Sequence, residues 1–421
     1  MESSSVIKIS QNRRYFIDAS GNPFFWLADT AWPLFNGYSK AEVETYLKDR
    51  AEKGFTVIQA IPSWEGSGNV HTSLTRPDAN YEGRRLWDKD PGNPDEKFLS
   101  DMDRVIHLAG ELGLVLAIFP VWGPFVNDSK VVNASNAKSL GLKLGKHYRD
   151  FPNIVWVSGG DHDARGFEDV YRNLALGLRE GDEGKHLITF HPNAWRSSSQ
   201  YFNDENWLDF HMIETWQEWP QTHPSVLSDL VRLPIRPVVL GECAYENGPE
   251  YGTGPITAHV MRKQAWWTFM AGGFFTYGQD RMWRMGEGWI NTLDTPGAKN
   301  MTQFRTIASK RDWWKMIPDQ SVFGDGVSSG RTLNTALWST DDTCMMIYLS
   351  SQCNVMVHLE KIRTKTAKAL WINPVTGEER DGGVHETGNE VEGKDPAVGK
   401  CGLFSVPLYW EDAVLIIDAI K

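Results

Sequence analysis

One rhythm constrains this chain most: apolar runs that alternate with amphipathic stretches. Eight runs occur, FFWLADTAW (24–32), FTVIQAIPSW (55–64), LVLAIFPVWG (114–123), IVWVSGGD (154–161), LITFHPNAW (187–195), LDFHMIETW (208–216), RPVVLGECAY (236–245) and GGFFTYGQD (272–280). Helical patterns fill the gaps; SKAEVETYLKDRAEKG, for one, starts at a capping Ser39 and stops at Gly54. The fifth connection, SSSQYFNDENW, carries the weakest helical pattern. Near-continuous apolar strands alternating with helices specify a parallel sheet covered on its outer face. Eight such units predict an α/β fold, a (β/α)8 TIM barrel over residues 24–320. A doubly wound sheet would want a glycine-rich phosphate turn after its first strand, where this chain reads ADTAWPLF.

Two segments flank the barrel. Residues 1–23 predict a short β-hairpin (VIKIS and RYFID, with a turn at Ser20–Pro23). Residues 321–421 carry short strands without helices, among them TALWST, CMMIYLSS, NVMVHLE, TAKALWINP, GLFSVP and AVLIIDA, which predict an all-β sandwich domain. The turn Asn373–Gly377 separates two of its strands.

The formal net charge of -11 argues against nucleic acid or an anionic membrane surface as a partner. No apolar run reaches the ~18 residues of a membrane span. The N-terminus MESSSVIKIS lacks the basic and apolar regions of a signal peptide, so an intracellular protein is expected unless the chain has been shortened. The spacings of Cys243, Cys344, Cys353 and Cys401 fit no metal or redox pattern, and free thiols are the expectation, with a Cys344–Cys353 bridge as the alternative. With 19 Trp, 19 Phe and 12 Tyr, the chain is rich in flat rings of the kind that line sugar clefts, where C–H faces pack on aromatic planes.

In a barrel of this type the active site forms at the C-terminal ends of the strands. Read in order, those ends offer Asp29 and Trp32, then Gln59 and Trp64, Trp122, Asp161, and His191 with Trp195. Glu214 and Trp216, Glu242, and Tyr277 with Gln279 complete the ring. It is aromatic, acidic and rich in amides, and it holds no lysine, which removes Schiff-base chemistry. It has no His-x-His or HExxH, and Asp161, His162 and Asp163 are adjacent and point alternately, so neither a metal nor a cofactor is expected. No GxSxG elbow serves a serine triad.

Carboxylate chemistry remains. Glycoside hydrolysis needs two carboxyl groups flanking one bond, one ionised and one kept protonated. Asp161 and Glu242, ending the fourth and seventh strands, can face each other across the mouth. Two glycines precede Asp161 and could let a ligand approach the backbone. Glu214 is the rival carboxylate. Asp29, Trp32, Gln59, Trp64, Trp122, His191, Glu214, Trp216, Tyr277 and Gln279 are the candidate carbohydrate-binding residues. Tyr245 reads as part of the loop after the seventh strand.

FFWLADTAW, the GGD that ends the fourth strand, the GE that ends the seventh, and the tail WINPVTGE with its closing strand together resemble the apiosidase-like enzymes, glycoside hydrolase family 140. The resemblance runs from about residue 6 to 421. It implies a retaining, exo-acting hydrolase that removes β-linked apiose, a branched pentofuranose of plant pectin and plant glycosides. It also implies Asp161 as acid/base and Glu242 as nucleophile. Other furanosides or a β-glucan are alternative substrates, and a non-catalytic carbohydrate-binding barrel is the alternative from outside the enzymes.

Overall fold

The computed structural model describes residues 6–36, 38–63, 79–248, 254–284, 288–388 and 400–420. Eight parallel strands form the barrel: β1 (Leu27–Thr30), β2 (Val57–Ala60), β3 (Val115–Ile118), β4 (Ile154–Gly159), β5 (Ile188–His191), β6 (His211–Trp216), β7 (Val238–Cys243) and β8 (Phe274–Tyr277). Every residue of β1 to β5, β7 and β8 is buried, as a sheet covered on both faces requires. The ladder runs continuously from β5 back through β1 to β8, β7 and β6. Between β5 and β6 single bonds replace a ladder, such as Asp209 N–H to the Ile188 carbonyl at 2.9 Å. Arg196–Ser197 there adds a ninth, antiparallel strand to β6.

Helix α1 (Lys40–Glu52) follows β1. Ser39 caps it in a full capping box with Glu42. The connection that reads weakest in sequence holds only the four-residue helix Ser199–Phe202. The N-terminal segment forms three short antiparallel strands, because Pro23–Phe24 pairs onto Phe16–Ile17 beyond the expected hairpin.

The C-terminal strands form two antiparallel sheets, of six and three strands. Glu379–Glu386 is an edge strand of the larger sheet whose polar sequence, ERDGGVHE, gives no strand signal. A central strand of the larger sheet, Cys344–Leu349, is buried on both faces. On Cys344–Leu349, Met346 and Tyr348 join the barrel's core, whereas Met345, Ile347 and Leu349 join the sandwich core. Helix α2 (Ala258–Met270) receives it: Trp266 stacks on Tyr348 with centroids 5.6 Å apart, and Arg262 pairs with the buried Asp412 at 2.9 Å. All four cysteines are free. Among the described residues no helix is long and apolar enough to cross a membrane.

Candidate active site

Asp161, His191, Glu214 and Glu242 meet at the C-terminal mouth of the barrel. Each contributes one donor atom to a group whose members all lie within 4.8 Å of one another. They come from the ends of β4, β5, β6 and β7, and Glu214 stands in register beside Glu242. The backbone is strained around them: Asp161, Trp195 and Trp216, just beyond or at the ends of β4, β5 and β6, hold left-handed φ of 51°, 63° and 39°.

The glycines before Asp161 serve packing, contrary to the expectation that they admit a ligand. A Cβ on Gly160 would sit 2.2 Å from the Trp122 ring, and one on Gly159 would sit 2.5 Å from the His191 carbonyl. Both residues have positive φ, 135° and 86°, so the turn that delivers Asp161 needs glycine on two counts.

His191 is fully buried, and burial lowers its pKa, so the ring is neutral. Its Nδ1 lies 2.8 Å from the Pro192 carbonyl. A carbonyl only accepts, so Nδ1 carries the proton and Nε2 is left as an acceptor. That Nε2 lies 3.4 Å from Glu242 Oε2. Both atoms are buried without a hydrogen-bond partner.

The carboxyl pKa values all rise. Glu242, with its side chain 10% exposed, is raised by burial, while hydrogen bonds from Tyr245 and Asp161 pull it partway back. Asp161 is raised by its loss of water and by the Glu242 charge. Its side chain is still 44% exposed, so the neighbouring charge is the firmer of these two causes. Glu214 is raised by burial, then by the charges of Asp161 and Glu242.

His259, Glu411 and Asp412 form a second cluster with donors equally close, but Arg262 already neutralises the acids there. In the first cluster a cation would have to displace the protons that crowding holds on the carboxyls.

The remaining candidates divide. Trp32 and Trp122, ring centroids 5.4 Å apart, wall the site beside His191 and are almost buried. Trp216 is half-buried at the end of β6, and Trp195 is 55% exposed. Gln59 lies inside the barrel, where its Nε2 donates to the Gly241 carbonyl at 2.8 Å and braces β7 immediately before Glu242. Trp64 lies outside the described residues.

Asp29, Tyr277 and Gln279 are corrections: none of them faces the mouth. Asp29 and Tyr277 are register partners on β1 and β8 and share the helix-facing side. Asp29 is fully buried against Arg50 and accepts from the Tyr46 hydroxyl at 2.7 Å. Burial pushes its carboxyl up while Arg50 pulls it down; since arginine keeps its charge, the pair is ionic. Tyr277 donates to Glu246, whose other oxygen accepts from Gly297 N–H at 2.8 Å. Gln279 caps the short helix Asp280–Arg284 through Met282 N–H.

Sequence reasoning missed Tyr245 as a site residue. It is buried, takes a hydrogen bond from Trp32 Nε1 at 3.1 Å, and hydrogen-bonds Glu242. Its position three residues after the strand-end glutamate was the available signal.

A parallel barrel with clustered carboxyls and aromatic walls at its mouth is the frame of a glycoside hydrolase, and the comparisons agree. Residues 10–315 match the family model described as Apiosidase-like, catalytic domain, and the chain belongs to that family. Residues 317–418 match a model named for a collagen-binding domain of a collagenase. The whole fold is similar to a solved structure titled "Glycoside hydrolase", with TM-score 0.87 and 24% identity over 99% of this chain and 97% of that one. A family 5 glycoside hydrolase from Bacteroides vulgatus gives TM-score 0.88 and 24% identity over 99% and 94% of the two chains. A GH27 β-L-arabinopyranosidase from Geobacillus stearothermophilus is more distant, at TM-score 0.54 and 11% identity over 94% and 97%. No curated protein matches the chain. The protein is a glycosidase, and its substrate is a carbohydrate.

Proposed function

We propose that this glycosidase acts with retention, removing terminal β-linked apiose from plant pectin or plant glycosides. In this reading Glu242 attacks the anomeric carbon while Asp161 gives its proton to the departing oxygen. Asp161 then takes a proton from water, which displaces Glu242 and releases the sugar. The observation that carries the reading is the closeness of the two carboxyls, one oxygen of each lying within 4.8 Å of one oxygen of the other. Retaining enzymes hold their pair about 5–5.5 Å apart, whereas inverting ones leave about 6.5–9.5 Å for a water. The environments support the division of roles. Asp161, more exposed and burdened by the Glu242 charge, keeps its proton, while Tyr245 steadies the Glu242 carboxylate. The apiosidase-like family model supports the choice of sugar.

The test is a panel of aryl glycosides and apiose-bearing plant glycans, with the first-formed product followed by NMR. Release of apiose with its β configuration kept is expected. Release of another pentofuranose or of glucose would replace the sugar, and an α product would replace the mechanism.

A further inference from the structure

Double displacement uses two carboxyls, and this mouth holds three. Glu214 is buried, at 4% exposure, and its Oε2 has no hydrogen-bond partner. The groups that face it are Asp161 from β4, neutral His191 from β5 and Glu242 from β7, with Tyr245 behind Glu242. Among the described residues the cluster has no ion pair to lysine or arginine; the base that touches it is the neutral His191. Three carboxylates within 4.8 Å of one another and without a cation do not ionise together. In the reading above Glu242 ionises to attack and Asp161 keeps a proton to donate. The third group, Glu214, is the least exposed of the three, and water does least there to support a charge.

We infer that Glu214 is a further substrate-binding residue: a neutral carboxyl that, together with His191, grips the sugar hydroxyl on the carbon next to the anomeric carbon. The inference rests on the assignment of Asp161 and Glu242 as the reacting pair. Donor and acceptor match. The Glu214 O–H donates to the sugar oxygen, and that hydroxyl donates its own proton to His191 Nε2, which is free to accept. Distances match too. One oxygen about 2.7–2.9 Å from each of two groups spans up to roughly 5.5 Å between them, and a Glu214 carboxyl oxygen lies within 4.8 Å of a His191 ring nitrogen. The register of Glu214 beside Glu242 sets that hydroxyl next to the carbon under attack. Hydrogen bonds at this hydroxyl strengthen in the transition state of glycoside hydrolysis.

The test compares wild type, Glu214→Gln and Glu214→Ala, in EDTA, on the aryl β-furanoside that wild type cleaves fastest and on its 2-deoxy counterpart. Glutamine is a neutral donor of the same shape, so Glu214→Gln is expected to keep kcat/KM within about tenfold on the hydroxylated substrate. Glu214→Ala is expected to lose about 10²–10³-fold there, as the loss of a strengthened hydrogen bond of several kcal/mol implies. On the 2-deoxy substrate all three proteins should agree within about threefold, since no hydroxyl remains to be held. Equal damage from glutamine and alanine would overturn the neutral role. A loss by alanine that is the same on both substrates would overturn the contact and leave a structural part only. Failure of the Asp161–Glu242 reading shows separately, as an inverted product or normal turnover by Glu242→Gln.

Discussion

His191 presents Nε2 to Glu242 Oε2 at 3.4 Å with its other nitrogen tied to the Pro192 carbonyl. The ring cannot donate to the carboxylate. It is an acceptor fixed beside the proposed nucleophile, open to a proton or a sugar hydroxyl. His191→Ala is therefore expected to lower kcat/KM by about 10–100-fold, the range of one hydrogen bond in a site where charge develops. Steady-state kinetics beside a melting curve would check this. An unchanged kcat/KM in a folded variant would remove His191 from substrate binding.

The proposed reacting pair, Asp161 and Glu242, predicts two different kinetic signatures. Asp161→Asn should slow hydrolysis of substrates with poor leaving groups by about 10²–10⁴-fold and spare those with activated leaving groups. Glu242→Gln should be nearly inactive on both. Equal losses across leaving groups for Asp161→Asn would remove its role as general acid.

The raised carboxyls predict how activity and stability depend on pH. Asp161 is pushed above the usual carboxylate range by loss of water and by the Glu242 charge, so kcat/KM should fall on the alkaline side as it ionises, and Asp161→Asn should abolish that limb. Below roughly pH 4 these carboxyls are protonated in both the folded and the unfolded chain. As pH rises from there through the folded-state values, the unfolded chain gives up protons that the folded chain keeps, so stability falls. Asp161→Asn and Glu242→Gln should then raise the melting temperature at pH 8, with the gain shrinking toward pH 4. A gain that is the same at both pH values would contradict this origin.

Asp29 predicts a stability effect without a binding effect. Removing one partner of a buried ion pair leaves the other uncompensated, at a cost of about 3–5 kcal/mol. Asp29→Ala takes the fully buried acid from the fully buried Arg50, which keeps Asp49 at 2.6 Å and the Leu293 carbonyl at 3.1 Å, so the loss should fall at the low end of that range. Denaturant unfolding should show that loss, while KM of the remaining folded enzyme stays near wild type. A KM effect without a stability effect would return Asp29 to the sugar site.

The C-terminal sheet predicts that the two domains unfold together. Asp412, 1% exposed, holds Arg262 and accepts from the Tyr348 hydroxyl at 2.8 Å. Asp412→Ala should cost less than the about 3–5 kcal/mol of a fully stranded charge, because Arg262 keeps its pair with Glu411 at 2.8 Å. Calorimetry should show one lowered transition, because the larger sheet contributes side chains to both cores. Two separate transitions would mean that the domains are energetically independent.

Much of this was legible in the sequence. The eight apolar runs mark all eight barrel strands, and strand-end position alone selects Asp161, His191, Glu214 and Glu242. Position fails for Asp29 and Tyr277. A strand buried on both faces is apolar throughout, so its sequence does not say which residues face the barrel interior and which face the helices. Asp29 needed Arg50, twenty-one residues later on α1, to reveal its side of the sheet. Gly159 and Gly160 misled for a related reason: the carbonyl and the ring they admit belong to β5 and to the loop after β3 respectively, which sequence cannot set beside them.

By itself the sequence determined the alternation of strand and helix, and with it the end of the barrel at which the chemistry gathers. Local pattern is enough for that, because period and turn chemistry are properties of neighbours along the chain. Only the tertiary structure decided that three carboxyls and one neutral histidine, spread over the 82 residues from Asp161 to Glu242, share a single site. Their distances, and the protons they can keep, depend on barrel register and on the water excluded around them.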